Sequence, residues 1–196
     1  MVDPLDYSTE DLAHYTGQLQ QFVEVCLEED GLYEVRPVGP HGGKSVWTTP
    51  GGIVERIGLF RTWNRNGFNP YFSLNLRRAS GCRTGTESLP GSLIVADFDG
   101  GQGLDHALST IKAKGLPAPT AVVCSSPGNH HAYWRLTERL PDLETFERLQ
   151  RGLSETLGSC PAICSAQQVM RMPGPFCNVK VDRPTRPRVE LLEVLR

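Results

Sequence analysis

Apolar residues recur at three- and four-residue steps between Ser8 and Asp30. Leu12, Tyr15, Leu19, Phe22, Val23 and Cys26 form one stripe, which predicts a first helix. Ser8 or Thr9 caps it, Glu10 and Asp11 face the positive end of its dipole, and Asp30-Gly31 closes it. Short runs at 32–38 and 45–48 predict strands joined by a Gly/Pro turn that holds His41, and a second helical piece follows over 53–63. From Asn69 to Arg78 the chain reads NPYFSLNLRR. Its alternation puts Tyr71, Ser73, Asn75 and Arg77 on one face of a strand, with Phe72, Leu74 and Leu76 on the other. The polar, glycine-rich stretch 79–90 reads as a mobile loop.

The second half is more regular. Leu93-Ile94-Val95-Ala96 is a short apolar run of the kind that makes a buried strand. A helix is expected over 105–114, a Pro-rich break over 116–119, a strand at 121–124, a tight turn at 125–129 and a returning strand at 130–136. The stretch 142–157 predicts an amphipathic helix with Leu143, Phe146, Leu149, Leu153 and Leu157 as its stripe. A turn or short helix over 165–170 and a final strand over 188–195 complete the chain. The order strand-helix-strand-strand-helix-strand predicts an antiparallel sheet with helices on one face, similar to a split βαβ unit, and the fold class α+β.

Composition bounds this reading without redirecting it. The 196 residues suit one domain, or two small lobes sharing a core. Twenty Lys and Arg against 22 Asp and Glu give a net charge of −2, so nucleic acid would have to meet a local patch rather than a basic field. No apolar stretch is long enough to span a bilayer, and the acidic start MVDPLDYSTEDL is unlike a signal peptide. The expectation is a cytoplasmic protein with no membrane partner and with reduced, mostly buried cysteines. Cys160, Cys164 and Cys177 do not have the spacing of a standard structural zinc site.

The chemistry gathers at three stretches. The run 91–100 reads GSLIVADFDG. Residues i and i+2 on a strand share a face, so Asp97 and Asp99 converge. Like charges that close favour a hard divalent cation between them, although the stretch alone is equally a surface turn of the D-G type. Residues 125–134 read SSPGNHHAYW, with His131 and Tyr133 on one strand face and His130 and Ala132 on the other. A serine, a glycine turn and an imidazole suit a phosphate chain, and an ordinary exposed strand explains them as well. Residues 171–180 read RMPGPFCNVK, a rigid turn flanked by Arg171 and Lys180, either an oxyanion clamp or a plain basic turn.

Taken in order, the three stretches resemble the archaeo-eukaryotic primase (AEP) superfamily, and most closely the plasmid- and phage-type primase–polymerases. The resemblance runs from about 69 to 180, and NPYFSLNLR is similar to the strand that precedes the family's metal motif. It implies an α/β lobe packed on an RRM-like antiparallel lobe, with a boundary near residue 90 and the active site between them in a single domain. It also implies template-directed nucleotidyl transfer with Mg²⁺ or Mn²⁺, acting on nucleoside triphosphates and a single-stranded DNA template or primer. Carried over residue by residue, Asp97 and Asp99 are the metal ligands and, with His131, the catalytic set. Ser126 and His131 contact the triphosphate, and Arg171 and Lys180 meet phosphates or template. No helicase motif or zinc-binding appendage is visible, so unwinding would lie on another chain or on a removed C-terminal region.

One departure from the family stands out. Its third motif supplies a further carboxylate shortly before the R-x-P-G turn, and this chain has no Asp or Glu between Glu155 and Asp182. Cys160 and Ser165 occupy that stretch, with Ser165 slightly favoured because it lies nearer Arg171. Asp182 or Glu190 could instead substitute from a neighbouring strand. Beside the active nucleotidyltransferase stand two other readings: a catalytically impaired nucleotide- or single-strand-binding module of a replication protein, and a metal-dependent phosphohydrolase using Asp97, Asp99 and His131.

Overall fold

A computed structural model describes residues 8–39, 41–175 and 188–194. The expectations on Cys177, Lys180 and Asp182 lie outside the described residues. In chain order the elements are α1 (Thr9–Cys26), β1 (Tyr33–Val38), β2 (Val46–Thr48), α2 (Pro50–Glu55), α3 (Ile57–Arg65), β3 (Asn69–Ser73), β4 (Leu76–Arg77) and β5 (Ser88–Leu89). There follow β6 (Leu93–Phe98), α4 (Leu104–Ala113), β7 (Ala121–Ser126), β8 (Asn129–Arg135) and α5 (Leu143–Leu157). A 3₁₀ turn (Pro161–Ile163), β9 (Val169–Arg171) and β10 (Glu190–Val194) complete them. No helix among the described residues is long and apolar enough to cross a membrane.

Two four-stranded antiparallel sheets carry the architecture, in the orders β2-β1-β3-β9 and β10-β7-β8-β6. In the second, β6 and β7 flank β8 and are joined through α4, which is the split βαβ arrangement. The chain beyond residue 90 contributes to both sheets, because β9 returns to pair with β3. Helix α1 lies where the sheets meet. Its Phe22 ring stands edge-on to Phe72 of the first sheet at 5.3 Å and to Tyr133 of the second at 5.1 Å. The three rings are buried, so both sheets close on one core.

Several element boundaries differ from the sequence reading, each for a tertiary reason. The first helix starts on a Ser8–Asp11 capping box and stops at Cys26 rather than near Asp30. Beyond it, the buried Glu28 carboxylate accepts from Ser92 N and Oγ at the entrance to β6. The helix expected over 53–63 is two, broken at Arg56, whose guanidinium donates to Thr48 Oγ1 and Gly52 O. The strand expected over 69–78 is interrupted at Leu74-Asn75, where the Asn75 side chain accepts from Gly91 N and donates to Ala166 O. The 79–90 stretch is not loose, since Glu87 accepts from Arg83 N, Thr84 N and Thr84 Oγ1, and Trp47 Nε1 donates to Cys82 O. These bonds hold the exposed Glu87 carboxyl down to about 2. Of the turn or short helix expected over 165–170, the turn forms and leads into β9; of the five described cysteines, all free, only Cys26 is buried.

The stripe of α5 is also corrected. Leu149 is 39% exposed, while Gln150 is fully buried. β6 is an edge strand of its sheet, and the Gln150 amide satisfies that edge, accepting from Val95 N and donating to Val95 O. Pattern counting cannot anticipate a glutamine that acts as the missing neighbouring strand.

Candidate functional site

The strand pairing of the second sheet builds the site. Asp97 stands directly opposite His131 on β8, and Asp99 is the first residue past the end of β6. The chain then turns through Gly100 and Gly101, whose N–H groups both donate to Asn129 Oδ1, at 3.1 and 3.0 Å. Asn129 Nδ2 donates in turn to Ser126 Oγ at 3.1 Å. One amide side chain therefore ties the end of β6 to the turn between β7 and β8. That turn must come close: at Gly128, with φ of 79°, a Cβ would lie 2.7 Å from Gly101 Cα. A register shift between Cys124 and Ser126 re-aims the serines beside the turn.

The first sheet supplies the opposite wall. Arg171 pairs in register with Tyr71, and its guanidinium donates through Nε and Nη2 to Tyr71 Oη, at 3.2 and 2.9 Å. Nη1 donates across the gap to Ser125 O. The result is a cleft of about 370 Å³ between the two sheets, lined by Asp97, Asp99, Ser125, Ser126, Asn129 and His131 on one side and by Tyr71, Gln168, Val169, Met170 and Arg171 on the other, with Ile163 at its edge.

The electrostatics set the two buried members apart from an ordinary ion pair. Burial, with the Asp99 charge beside it, pushes the Asp97 carboxyl up to about 7, against the opposing pull of Arg171. Burial, then the Arg171 and His130 charges, lowers His131 to about 3, so its imidazole is neutral near pH 7. The 3.5 Å approach of His131 Nε2 to Asp97 Oδ1 is thus not a charge pair. Asp97 Oδ1 is buried and accepts no hydrogen bond among the described residues. A buried carboxylate oxygen left in this state, with a second carboxylate beside it, suits a cation. His131 Nδ1 lies 3.1 Å from Tyr133 Oη; where the tyrosine donates, the ring proton is on Nε2, the nitrogen 3.5 Å from Asp97 Oδ1.

The structure brings Asp97, Asp99, Ser126, His131 and Arg171 to one cleft, whereas Lys180 lies outside the described residues. Of the positions considered for a third donor, Cys160 joins the aspartates. Its Sγ and one oxygen from each carboxylate lie within 4.8 Å of one another, and its N–H donates to Asp97 O at 2.8 Å. Ser165, the position slightly favoured from the sequence, sits in the turn before β9, where its carbonyl accepts from Gln168 N. Glu190 is on β10, separated from β6 by two strands and hence by about 14 Å at ordinary sheet spacing. Tyr71 and Asn129 were not anticipated as site residues. Tyr71 is on the polar face of its strand, and Asn129 follows the Pro-Gly turn, but only the long-range pairings give them partners.

Comparison with known proteins places this geometry in context. Residues 74–193 match the family model of the RepB DNA-primase N-terminal domain. No curated protein matches the sequence. Among solved structures, the AEP domain of the cyanophage S-2L primase-polymerase superposes with a TM-score of 0.71 at 19% identity, covering 91% of this chain and 90% of that one. Primase RepB′ gives 0.73 at 16% identity over 92% of this chain and 56% of its own length. The catalytic domain of RepB′ in complex with initiator DNA gives 0.63 at 17% identity, covering 90% and 85%. At these identities the likeness is one of fold, and the fold is that of AEP primases.

Proposed function

This chain belongs to the RepB DNA-primase N-terminal domain family, and from that membership we propose that it catalyses metal-dependent, template-directed nucleotidyl transfer in DNA replication. The observation that carries the reading is the convergence of Asp97 and Asp99 in a cleft whose other wall presents Arg171. A divalent ion, Mg²⁺ or Mn²⁺, held by the two carboxylates would supply Lewis-acid stabilisation of the phosphoryl oxygens.

The chain's own residues do the rest. Ser126 and the Nε2–H of His131 offer hydrogen bonds to the triphosphate of an incoming nucleotide. Arg171, oriented by Tyr71, offsets charge that grows on the transferring phosphate. Lys180 is assigned to phosphate or template. A RepB′ catalytic domain of the same fold has been solved with initiator DNA, which supports a DNA template as partner here. The chain spans about half of the RepB′ length.

Incorporation of labelled nucleotide on a primed single-stranded template with Mn²⁺ tests the reading. The unaltered chain should extend the primer, and the Asp97→Ala, Asp99→Ala double variant should not. Binding of triphosphate and template without incorporation would instead identify a binding module that keeps the fold.

A further inference from the structure

Cys160 is placed by two features that have nothing to do with its sulfur. Helix α5 lies along the edge of β6 through Gln150, and it ends at Gly158, which adopts the left-handed conformation with φ of 64°. The chain thereby doubles back, and the Cys160 N–H meets Asp97 O. The thiol, half-buried and not in a disulfide, is brought to the two carboxylates with all three donor atoms inside 4.8 Å. Within that cluster, Asp97 is nine-tenths buried and lines the cleft with an oxygen that accepts no hydrogen bond among the described residues. The site thus has an unmet demand for a cation and one soft donor beside two hard ones.

We propose that Cys160 is a ligand of the ion held by Asp97 and Asp99, and that this sulfur tunes the site toward thiophilic divalent cations such as Co²⁺ and Zn²⁺ and away from Mg²⁺. The inference rests on the metal site assigned above and adds its third donor and its selectivity. On binding, the S–H proton passes to solvent as the sulfur–metal bond forms, so the thiolate supplies the negative charge that a third carboxylate would otherwise give. Mg²⁺ demands an oxygen octahedron and dehydrates reluctantly, so one sulfur in three protein donors disfavours it. Thiolate sulfur and the later first-row ions suit each other, and affinity there rises toward Co²⁺ and Zn²⁺.

The probe is Co²⁺ added to the unaltered chain, read by near-ultraviolet absorption and by calorimetry. A sulfur-to-cobalt charge-transfer band should appear at one equivalent. It should vanish in Cys160→Ser and persist in Cys164→Ser. Cys160→Ser keeps the backbone contact to Asp97, and its unfolding midpoint reports whether the fold is intact. In competition, Cys160→Asp should lose at least tenfold in the preference for Co²⁺ over Mg²⁺. Stoichiometric Co²⁺ binding that depends on Asp97 but shows no such band, or a band unchanged in Cys160→Ser, would overturn the cysteine's role while leaving the carboxylate site standing. Absence of any Co²⁺, Mn²⁺ or Mg²⁺ binding would overturn both.

Discussion

Asp97 and His131 face each other at one register position of the β6–β8 pair, and burial moves both away from where a free side chain titrates, the carboxyl up and the imidazole down. A carboxyl raised by burial and a neutral imidazole make a poor ion pair but a good receptor for a metal-bound phosphate, since one lacks a cation and the other offers an N–H. The adjacent His130 lies on the opposite face, away from the cleft lining. His131→Ala should therefore weaken binding of a non-hydrolysable triphosphate by roughly 1.5–3 kcal/mol, the range of a hydrogen bond to a charged group. His130→Ala should cost much less. Calorimetry with Mn²⁺ present gives both values, and the reverse ranking would remove His131 from the nucleotide site. The Asp97–Asp99 pair was legible in the sequence because its geometry is local, a matter of two residues one apart at the end of a single strand. The Cys160 contact was not, because it depends on where a fifteen-residue helix ends over a strand edge.

At the scale of elements, a second buried charge cluster fixes the wall that carries Tyr71. Glu34 on β1, with a fully buried side chain, accepts from Arg36, Ser45, Arg77 and Arg83, joining β1 to β4 and to the 79–90 segment. Burial alone would raise its carboxyl, but the Arg36 and Ser45 hydrogen bonds and the Arg36 and Arg77 charges prevail and hold it below its ordinary 4.5. A depressed folded value adds stability that is full above the unfolded carboxyl's range and is lost as pH falls through the folded value. Glu34→Gln should cost about 3–5 kcal/mol near neutral pH, because it leaves the buried Arg77 uncompensated. Urea unfolding over a pH series should show that difference shrinking below pH 4.5. A difference independent of pH would place the stabilisation in packing rather than charge. The alternation of 69–78 predicts one strand, whereas Tyr71 and Arg77 lie on β3 and β4 of different sheets; the break at Asn75 and the bond of Arg77 to Glu34 are decided by partners distant in the chain, Ala166 among them.

Across the whole molecule, the cleft exists because two sheets share one core and one strand crosses back between them. The order of elements from β6 to α5, and the final strand β10, was readable from hydrophobic periodicity, and it gave the antiparallel sheet and the α+β class. Periodicity is blind to β9, three residues that return to pair with β3 and carry Arg171 to the far wall. That single pairing turns three separate stretches of sequence into facing walls, with Arg171 bonded to Tyr71 in one sheet and to Ser125 in the other. On the function proposed above, a divalent ion and a nucleoside triphosphate meet in that gap. Anomalous diffraction from crystals grown with Mn²⁺ and a non-hydrolysable nucleoside triphosphate measures it directly. The account predicts a manganese peak bounded by Asp97 and Asp99, with the phosphates turned toward Ser126 and Arg171. Manganese or nucleotide bound elsewhere on the molecule, with this cleft filled only by water, would contradict it.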